Sequence, residues 1–181
     1  MNFDEYLDSH KIAVSSIDDN QLSLFLESLS RLRESGKTLW IAGNGGSSAT
    51  ASHAVADFTK TINQTGRGGI KTFALSEMVS LQTAFANDNS FVDGFHDTLR
   101  FVGTAGDVLL AISVSGKSPN LLQAARAATQ IGMPVLSMVG ELGSPLAELS
   151  DSCIFIKSSD YQVVENIQLA LIHWLVKELA H

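Results

Sequence analysis

Apolar residues recur along this chain with two different spacings. The runs TLWIA at 38–42 and DVLLAIS at 107–113 are apolar on both faces, which is typical of strands buried in a parallel sheet. Three shorter apolar runs sit between stretches of helical spacing. The pattern therefore predicts five strands, at residues 38–42, 72–75, 107–113, 134–139 and 153–157.

Amphipathic stretches with helical spacing fill the intervals. Two helices are predicted within residues 3–35, and Asp18 or Asp19 is placed to cap the second, which ends at Gly36. A later helix is expected to open on Ser76. The other predicted helices cover 48–61, 76–86, 93–102, 119–131, 144–149 and 162–180.

Strands and helices that alternate with short connections are typical of α/β proteins. We therefore predict a doubly wound, five-stranded parallel sheet flanked by helices, with two additional helices at the N-terminus. Residues 1–181 are expected to form one domain, because no linker, tandem repeat or low-complexity tract interrupts the pattern. The loop at 63–69, with the sequence NQTGRGG, is the one segment whose composition differs from that of the rest of the chain.

Composition narrows the classes of function. Of the 181 residues 45% are apolar and 17% are charged, whereas an average domain is about 25% charged. The net charge of −7 argues against generic nucleic-acid binding, which needs a basic surface. So few charges on so apolar a chain suggest that part of the surface is buried against copies of the same chain.

The expected location is cytoplasmic. Cys153 is the single cysteine and cannot form an internal disulfide, which fits a reducing compartment. No stretch reaches about 18 continuous apolar residues, so no membrane span is predicted. The first residues show no signal-peptide pattern.

Two glycine- and serine-rich segments follow the two most apolar strands. Both GNGGSS at 43–48 and SVSGKS at 113–118 offer free backbone amides at a predicted helix start, and the serines add hydroxyl donors. This combination suits an anion such as phosphate. A plain tight turn in the first segment and a serine-capped helix start in the second are the alternatives. Ligands of open α/β sheets bind at the carboxyl ends of strands, so the two segments together favour a binding site.

Two pairs of ionisable residues are candidates for metal binding or acid–base chemistry. His53 and Asp57 share one helix face, and Glu165 and His173 lie on one side of an otherwise apolar helix. Imidazole and carboxylate groups in such a set can hold a zinc-type metal or transfer protons. An ion-paired helix face and a helix edge at a subunit boundary are the alternative interpretations.

These segments together resemble the sugar isomerase (SIS) domain family over essentially the whole chain. The segments that carry the resemblance are GNGGS at 43–47, His53 with Asp57, Asn87-Asp88, SVSGKS at 113–118, and the helix from Glu165 to His173. Asn87-Asp88 alone would be read as an ordinary helix end. Within this family the chain is most similar to the sedoheptulose 7-phosphate isomerases.

The resemblance implies a flavodoxin-like fold and a homotetramer with active sites between subunits, in which residues 1–35 contribute to oligomerisation. It implies isomerisation of sedoheptulose 7-phosphate to D-glycero-D-manno-heptose 7-phosphate, a step toward activated heptose for surface polysaccharide. The implied ligands are a phosphorylated sugar and zinc.

The resemblance also implies roles for individual residues. The phosphate loop falls on Ser113, Val114, Ser115 and Ser118. The sugar contacts fall on Asn44, Gly45, Gly46, Ser47, Asn87, Asp88 and Glu165. The metal and acid–base positions fall on His53, Asp57, Glu165 and His173.

Two of these positions depart from the family pattern, which usually has glutamate at the position of Asp57 and glutamine at the position of Glu165. Asp57 is one methylene shorter, which moves its carboxylate by roughly 1.5 Å, and a misplacement of that order can cost ~10²-fold in rate. Glu165, which stands where glutamine is usual, adds a carboxylate to the same set of metal and acid–base positions.

The residue types fit an aldose–ketose isomerisation, which moves a proton between adjacent carbons through an enediol. Asp57 or Glu165 is the candidate base, and His173 is its acid–base partner at the oxygen. Zinc held by His53, Asp57, Glu165 and His173 is an alternative means of polarising the carbonyl. The two assignments compete, because a carboxylate bound to metal is a poorer base, and the sequence leaves both open.

A non-catalytic SIS domain is the alternative function. Such domains also act as sugar-phosphate sensors, and a close relative of the isomerases regulates replication initiation by binding the initiator protein. Those relatives tend to lose the histidine of the last helix. The presence of His173 favours an enzyme.

Overall fold

The computed structural model describes residues 1–66, 68–141 and 143–181. Its five strands form one parallel sheet in the order β2-β1-β3-β4-β5. The strands are β1 (Thr38–Gly43), β2 (Lys71–Ala74), β3 (Val108–Ser113), β4 (Val135–Val139) and β5 (Ser152–Phe155). The predicted doubly wound parallel sheet is confirmed, and each strand lies within two residues of its predicted ends.

Helices cover both faces of the sheet. They are α1 (Phe3–Val14), α2 (Asp19–Ser35), α3 (Gly46–Ala56), α4 (Val79–Asp88), α5 (Gly94–Val102), α6 (Pro119–Ile131), α7 (Pro145–Glu148) and α8 (Tyr161–Ala180). Of the two cap candidates for α2, Asp18 accepts the hydrogen bond, from the backbone N–H of Asn20. Gly36 ends this helix in the left-handed conformation, as expected. Within the described ranges, no helix is both long and apolar enough to cross a membrane.

The central strands are apolar on both faces because each face packs against a different helical layer. Leu39 and Ile41 of β1 belong to a core that includes apolar residues of α2, α3 and α8. Trp40 and Ala42, which point to the opposite face, belong to a second core formed with α5 and α6. The alternation places α3 and α8 on the same side of the sheet.

One predicted helix changes character in its last turn. The helix predicted over 48–61 begins earlier, at Gly46, and residues Asp57–Thr61 form a π-helical turn. Such turns insert an extra residue into an α-helix and are frequent at functional sites. The predicted loop that follows, at 63–69, includes Arg67, which lies outside the described residues.

The prediction that a helix opens on Ser76 is wrong. Residues Leu75–Glu77 form a 3₁₀ turn, and α4 begins only at Val79. The Ser76 hydroxyl caps nothing: it is buried, and no described residue forms a hydrogen bond with it.

The strand order reverses between β1 and β3, and this reversal determines where a ligand can bind. The two strands are neighbours in the sheet, with Gly43 of β1 opposite Ile112 of β3. Because both strands end at the same edge and their connections diverge to opposite faces, a crevice opens between them. The two glycine- and serine-rich segments leave the sheet at this crevice.

Asp107 fastens the opposite ends of the same two strands. Its carboxylate is buried and accepts hydrogen bonds from the backbone N–H of Thr38, from Trp40 Nε1 and from the backbone N–H of Thr104, at 2.9–3.1 Å. Burial by itself raises the pKa of this carboxyl, but the hydrogen bonds from Thr38, Trp40 and Thr104 outweigh it and hold the pKa below its ordinary value.

We predict that Asp107→Asn lowers the free energy of unfolding at neutral pH by about 2–4 kcal/mol, because an amide NH₂ faces buried donors. Urea unfolding measures the change. The folded-state pKa is lowered, so the carboxylate stabilises the protein above about pH 4 and loses this effect as the pH falls further. The difference between wild type and variant should therefore shrink in acid.

Asp151→Asn is the matched control. Asp151 also accepts a hydrogen bond from a strand N–H, that of Val135, but it is exposed. Its replacement should cost about 1 kcal/mol or less. Equal costs for the two substitutions would contradict the role given to Asp107.

Candidate active site

The loop after β1 is tied to two helices. The side chains of Asn44 and Asn120 exchange reciprocal amide hydrogen bonds of 2.9 and 2.8 Å. Gly45 has a φ of 54°, a conformation that L side chains rarely adopt. The hydroxyl of Ser47 donates to Gln168 Oε1 on α8 at 3.3 Å. The start of α3 is therefore fixed against both α6 and α8.

The loop after β3 is folded by its own serines. The backbone N–H of Gly116 donates to Ser113 Oγ at 3.0 Å, and that of Lys117 donates to Ser115 Oγ at 3.2 Å. Ser118 directly precedes α6, but its side chain makes no capping hydrogen bond. The interpretation of this segment as a serine-capped helix start is therefore wrong for Ser118.

The two loops line a cavity of about 140 Å³ at the crevice between β1 and β3. The lining residues are Asn44, Ser47, Ile112, Ser113, Val114, Ser115, Ser118, Leu121, Tyr161 and Glu165. None of these ten residues is a lysine or an arginine. Lys117 is paired instead with Glu141, at 2.7 Å, and both side chains are exposed. A bound anion would therefore be held by hydroxyl groups and backbone amides.

Glu165 carries the one acidic group among these lining residues. Its carboxylate lies against Gly46, and a Cβ on that glycine would collide with both carboxylate oxygens. Gly46 therefore makes room for the carboxylate at the first residue of α3, where the helix dipole favours negative charge. No hydrogen bond or ion pair engages Glu165 within the part of the chain that the structure describes.

Asn87 and Asp88 are not brought to this cavity. Both are exposed at the end of α4, where the Asn87 amide donates to Asp88 Oδ1 at 2.9 Å. Neither residue is among those that line the 140 Å³ cavity. Their contact with the sugar stays a prediction.

Three of the four predicted metal and acid–base residues converge at the other end of α3. The Nε2 atoms of His53 and His173 lie 3.0 Å apart, and Asp57 Oδ2 lies 3.3 Å from the first and 3.4 Å from the second. Asp57 is the most buried of the three, with 22% of its side chain exposed, against 50% and 47% for the histidines. Asp57 begins the π-helical turn, and its short side chain reaches both imidazoles from there.

These distances fit a zinc ion. Zinc–nitrogen and zinc–oxygen bonds of about 2.0–2.2 Å in a tetrahedron separate neighbouring ligand atoms by roughly 3.4 Å. The ligand atoms of His53, Asp57 and His173 all lie within 4.8 Å of one another. Three protein ligands with a fourth position open is the usual composition of a catalytic zinc site.

Glu165, the fourth predicted ligand, is not a member of this group. It precedes His173 by eight residues on α8, which separates the two positions by roughly 12 Å along the helix axis. The structure thus places Glu165 with the serine loop, and His173 with His53 and Asp57.

Sequence reasoning missed three residues of this region. Asn120 holds the loop after β1, Tyr161 lines the cavity, and Gln168 joins Ser47 to the carbonyl of Met138. Gln168 is fully buried in a helix, and a glutamine at an otherwise apolar position was a signal for a specific partner. No comparable signal marks Asn120 or Tyr161.

Comparisons with known proteins show the family of the chain. The SIS domain family matches residues 5–140. A phosphoheptose isomerase of Bradyrhizobium sp. (strain BTAi1) is 37% identical over 145 residues, 80% of this chain and 73% of that protein. One of Helicobacter pylori (strain P12) is 36% identical over 144 residues, 80% of this chain and 74% of that protein.

The fold agrees as well. The structure of phosphoheptose isomerase GmhA from Neisseria gonorrhoeae superposes with a TM-score of 0.88 at 27% identity, covering 98% of this chain and 94% of that one. The match spans the sheet, both loops and the helices that carry the histidines. The chain belongs to the SIS domain family and, within it, to the phosphoheptose isomerases.

Proposed function

We propose that this protein isomerises sedoheptulose 7-phosphate to D-glycero-D-manno-heptose 7-phosphate. Its membership in the phosphoheptose isomerases supports the reaction, and the two chemically different ends of the α3–α8 contact support the way the substrate lies. We call this contact the α3–α8 seam: the line along which α3 packs on α8, from Gly46 and Glu165 to His53 and His173.

The length of the seam is the observation that carries the proposal. Seven to eight residues of helix separate its ends, which corresponds to roughly 10–12 Å. At ordinary C–C bond lengths, an extended seven-carbon chain with its phosphate spans roughly 10 Å from C1 to phosphorus. A heptose 7-phosphate can therefore reach both ends at once.

The phosphate end is the 140 Å³ cavity. The hydroxyls of Ser113, Ser115 and Ser118 and the amides of their loop are the donors for the phosphate oxygens. Asn44 and Ser47 line the same cavity beside the adjacent carbons of the sugar. Glu165 takes the position of a substrate contact here.

The reacting end is formed by Asp57 and His173. The Asp57 carboxylate takes the proton from C1 of the ketose, while His173 gives a proton to the carbonyl oxygen at C2. The C1–H electron pair then forms the double bond of the enediol. Return of a proton to C2 and loss of the proton on the C1 oxygen give the aldose, so no oxidant or reductant is needed.

We propose that His53, Asp57 and His173 would hold a zinc ion, which would supply a Lewis acid for the carbonyl. Proton transfer by Asp57 and His173 and ligation of zinc by the same atoms are two alternative forms of the reacting end, because an atom bound to the ion is not free to take or give a proton. Glu165, roughly one heptose length away, is left out of both the ligand set and the base role in this arrangement.

We further propose a cytoplasmic homotetramer that acts in heptose supply for surface polysaccharide. Apolar side chains at the ends of two helices support association: Phe3 on α1 is 70% exposed, and Phe101 on α5 is 78% exposed. A neighbouring subunit would also explain why Asn87 and Asp88 lie away from the cavity of their own chain.

We predict that His53→Ala, Asp57→Asn and His173→Ala each weaken zinc binding at least about 100-fold, because each removes one of three direct ligands. Titration of the metal-free protein with zinc measures the affinity. His96→Asn is the control, since His96 also faces a carboxylate, that of Asp97 at 2.9 Å, but belongs to no metal-type group of the described residues. Unchanged zinc affinity in the three variants would exclude this site.

We predict that wild type turns over sedoheptulose 7-phosphate and that His173→Ala lowers kcat by about 10²–10⁴-fold. Ser115→Ala should act mainly on KM, because it removes a donor to the phosphate and leaves the reacting end intact. Appearance of the aldose in a coupled assay gives both constants.

The same assay separates the enzyme from a sensor. Binding of the sugar phosphate without turnover, by a protein that holds no zinc, would overturn the isomerase and support a regulatory SIS domain. Full activity of His173→Ala would refute only the role given to His173, and the isomerase reaction itself would stand.

A further inference from the structure

A second cavity adjoins the phosphate end. It has a volume of about 570 Å³, and three of its lining residues, Val114, Ser115 and Tyr161, also line the 140 Å³ cavity. The two cavities therefore share a wall. A hydrogen bond of 2.8 Å from the Gly140 N–H to the Val114 carbonyl oxygen joins the residue after β4 to this wall. A group in the larger cavity is thus placed beside a ligand in the smaller one.

Two opposite charges line the larger cavity, but they do not neutralise each other. Its basic residue is Lys157 and its acidic residue is Glu141. The Glu141 carboxylate is engaged by Lys117, at 2.7 Å. Within the described ranges, no carboxylate forms an ion pair with Lys157. The positive charge of Lys157 therefore stands uncompensated in the cavity next to the phosphate end.

The backbone of Lys157 is held in place, whereas its side chain is exposed. Its N–H donates to Ser16 Oγ at 2.9 Å, and the N–H of Ser158 donates to the Ile156 carbonyl oxygen at 2.8 Å. An extended lysine side chain carries its ammonium group roughly 6 Å from the Cα atom. The ammonium group can therefore turn toward the shared wall while the backbone stays where it is.

A phosphate ester carries a charge that neutral donors leave uncompensated. It bears about −1.5 to −2 at pH 7, because its second pKa is near 6. The serine hydroxyls and loop amides of the phosphate end are neutral donors, and a charged donor forms hydrogen bonds roughly twice as strong. An ammonium group beside this end would therefore favour a phosphorylated sugar over an uncharged one.

We propose that Lys157 supplies the positive charge of the phosphate end, with its ammonium group donating to a phosphate oxygen across the wall formed by Val114, Ser115 and Tyr161. The phosphate itself lies in the 140 Å³ cavity. Lys157 is then a specificity-determining residue that selects phosphate esters. The proposal rests on the proposed function in one respect, the placement of the phosphate in the serine-lined cavity.

Binding of a non-reacting ligand tests this without any need for catalysis. Borohydride reduction of sedoheptulose 7-phosphate gives the heptitol 7-phosphates, which keep the phosphate and lack the carbonyl. Calorimetric titration at neutral pH, in about 0.02 M and about 0.5 M NaCl, yields the affinity and its dependence on salt. The heptitols without phosphate measure the part of the affinity that does not depend on the phosphate.

Lys157→Gln should bind the heptitol 7-phosphates about 5–30-fold more weakly than wild type at the lower salt concentration, because it loses one charged, partly exposed contact. Salt screens such a contact, so this difference should shrink at least about twofold at the higher salt concentration. Lys157→Arg keeps the charge and should stay within about threefold of wild type. The heptitols without phosphate should not distinguish the variants from wild type.

Lys71→Gln is the matched control. Lys71 is also an exposed lysine, but as the first residue of β2 it lies at the opposite edge of the sheet and lines neither cavity. Its replacement changes the net charge by the same amount. It should bind the heptitol 7-phosphates as wild type does, at both salt concentrations.

Four results would overturn the proposal: wild-type affinity in Lys157→Gln, an equal loss in Lys71→Gln, a loss that Lys157→Arg does not restore, or no binding of the heptitol phosphates by wild type. Turnover of sedoheptulose 7-phosphate is measured separately, and there Lys157→Gln should raise KM while kcat stays within about twofold. Binding through Lys157 without turnover would sink the isomerase reaction and support this proposal. Turnover with unchanged binding in Lys157→Gln would do the reverse.

Discussion

The parallel pairing of β1 with β3 is the constraint on which the site depends. With Gly43 opposite Ile112, both strands end at the same edge of the sheet. The two glycine- and serine-rich loops that follow them therefore lie next to each other at that edge. Asp107 secures the same pair of strands at the other edge through Thr38 and Trp40. Once the strands are in register, the N-terminus of α3 lies beside the serine loop, and the remaining geometry follows from where α3 and α8 run.

The two ends of the α3–α8 seam differ in chemistry because different partners face α8 at each. Toward its start, α8 faces Gly46, where the absence of a Cβ leaves room for the Glu165 carboxylate. Two turns later it faces His53 and the π-helical turn that begins with Asp57. That turn explains how a side chain one methylene shorter than glutamate still comes within 3.4 Å of both imidazoles.

The sequence allowed the sheet and most of the site to be predicted, because buried strands and strand-end loops have local signatures. Leu39 to Ala42 and Leu109 to Ile112 are apolar on both faces, and His53 and Asp57 are one helical turn apart. The position of Glu165 relative to the other site residues could not be predicted. Its spacing along α8 places it on the same side of the helix as His173, but its surroundings depend on which residue of α3 packs against it. The π-helical turn and the place of Asn87 and Asp88 likewise depend on tertiary packing.

The most direct test of the account is a crystal structure of the zinc-loaded protein with sedoheptulose 7-phosphate, with anomalous diffraction recorded at the zinc edge. The account predicts an anomalous peak between His53, Asp57 and His173, and phosphate density against Ser113, Ser115 and Ser118. A peak that includes Glu165 as a ligand would contradict it. Phosphate in the larger cavity beside Lys157 would contradict it as well.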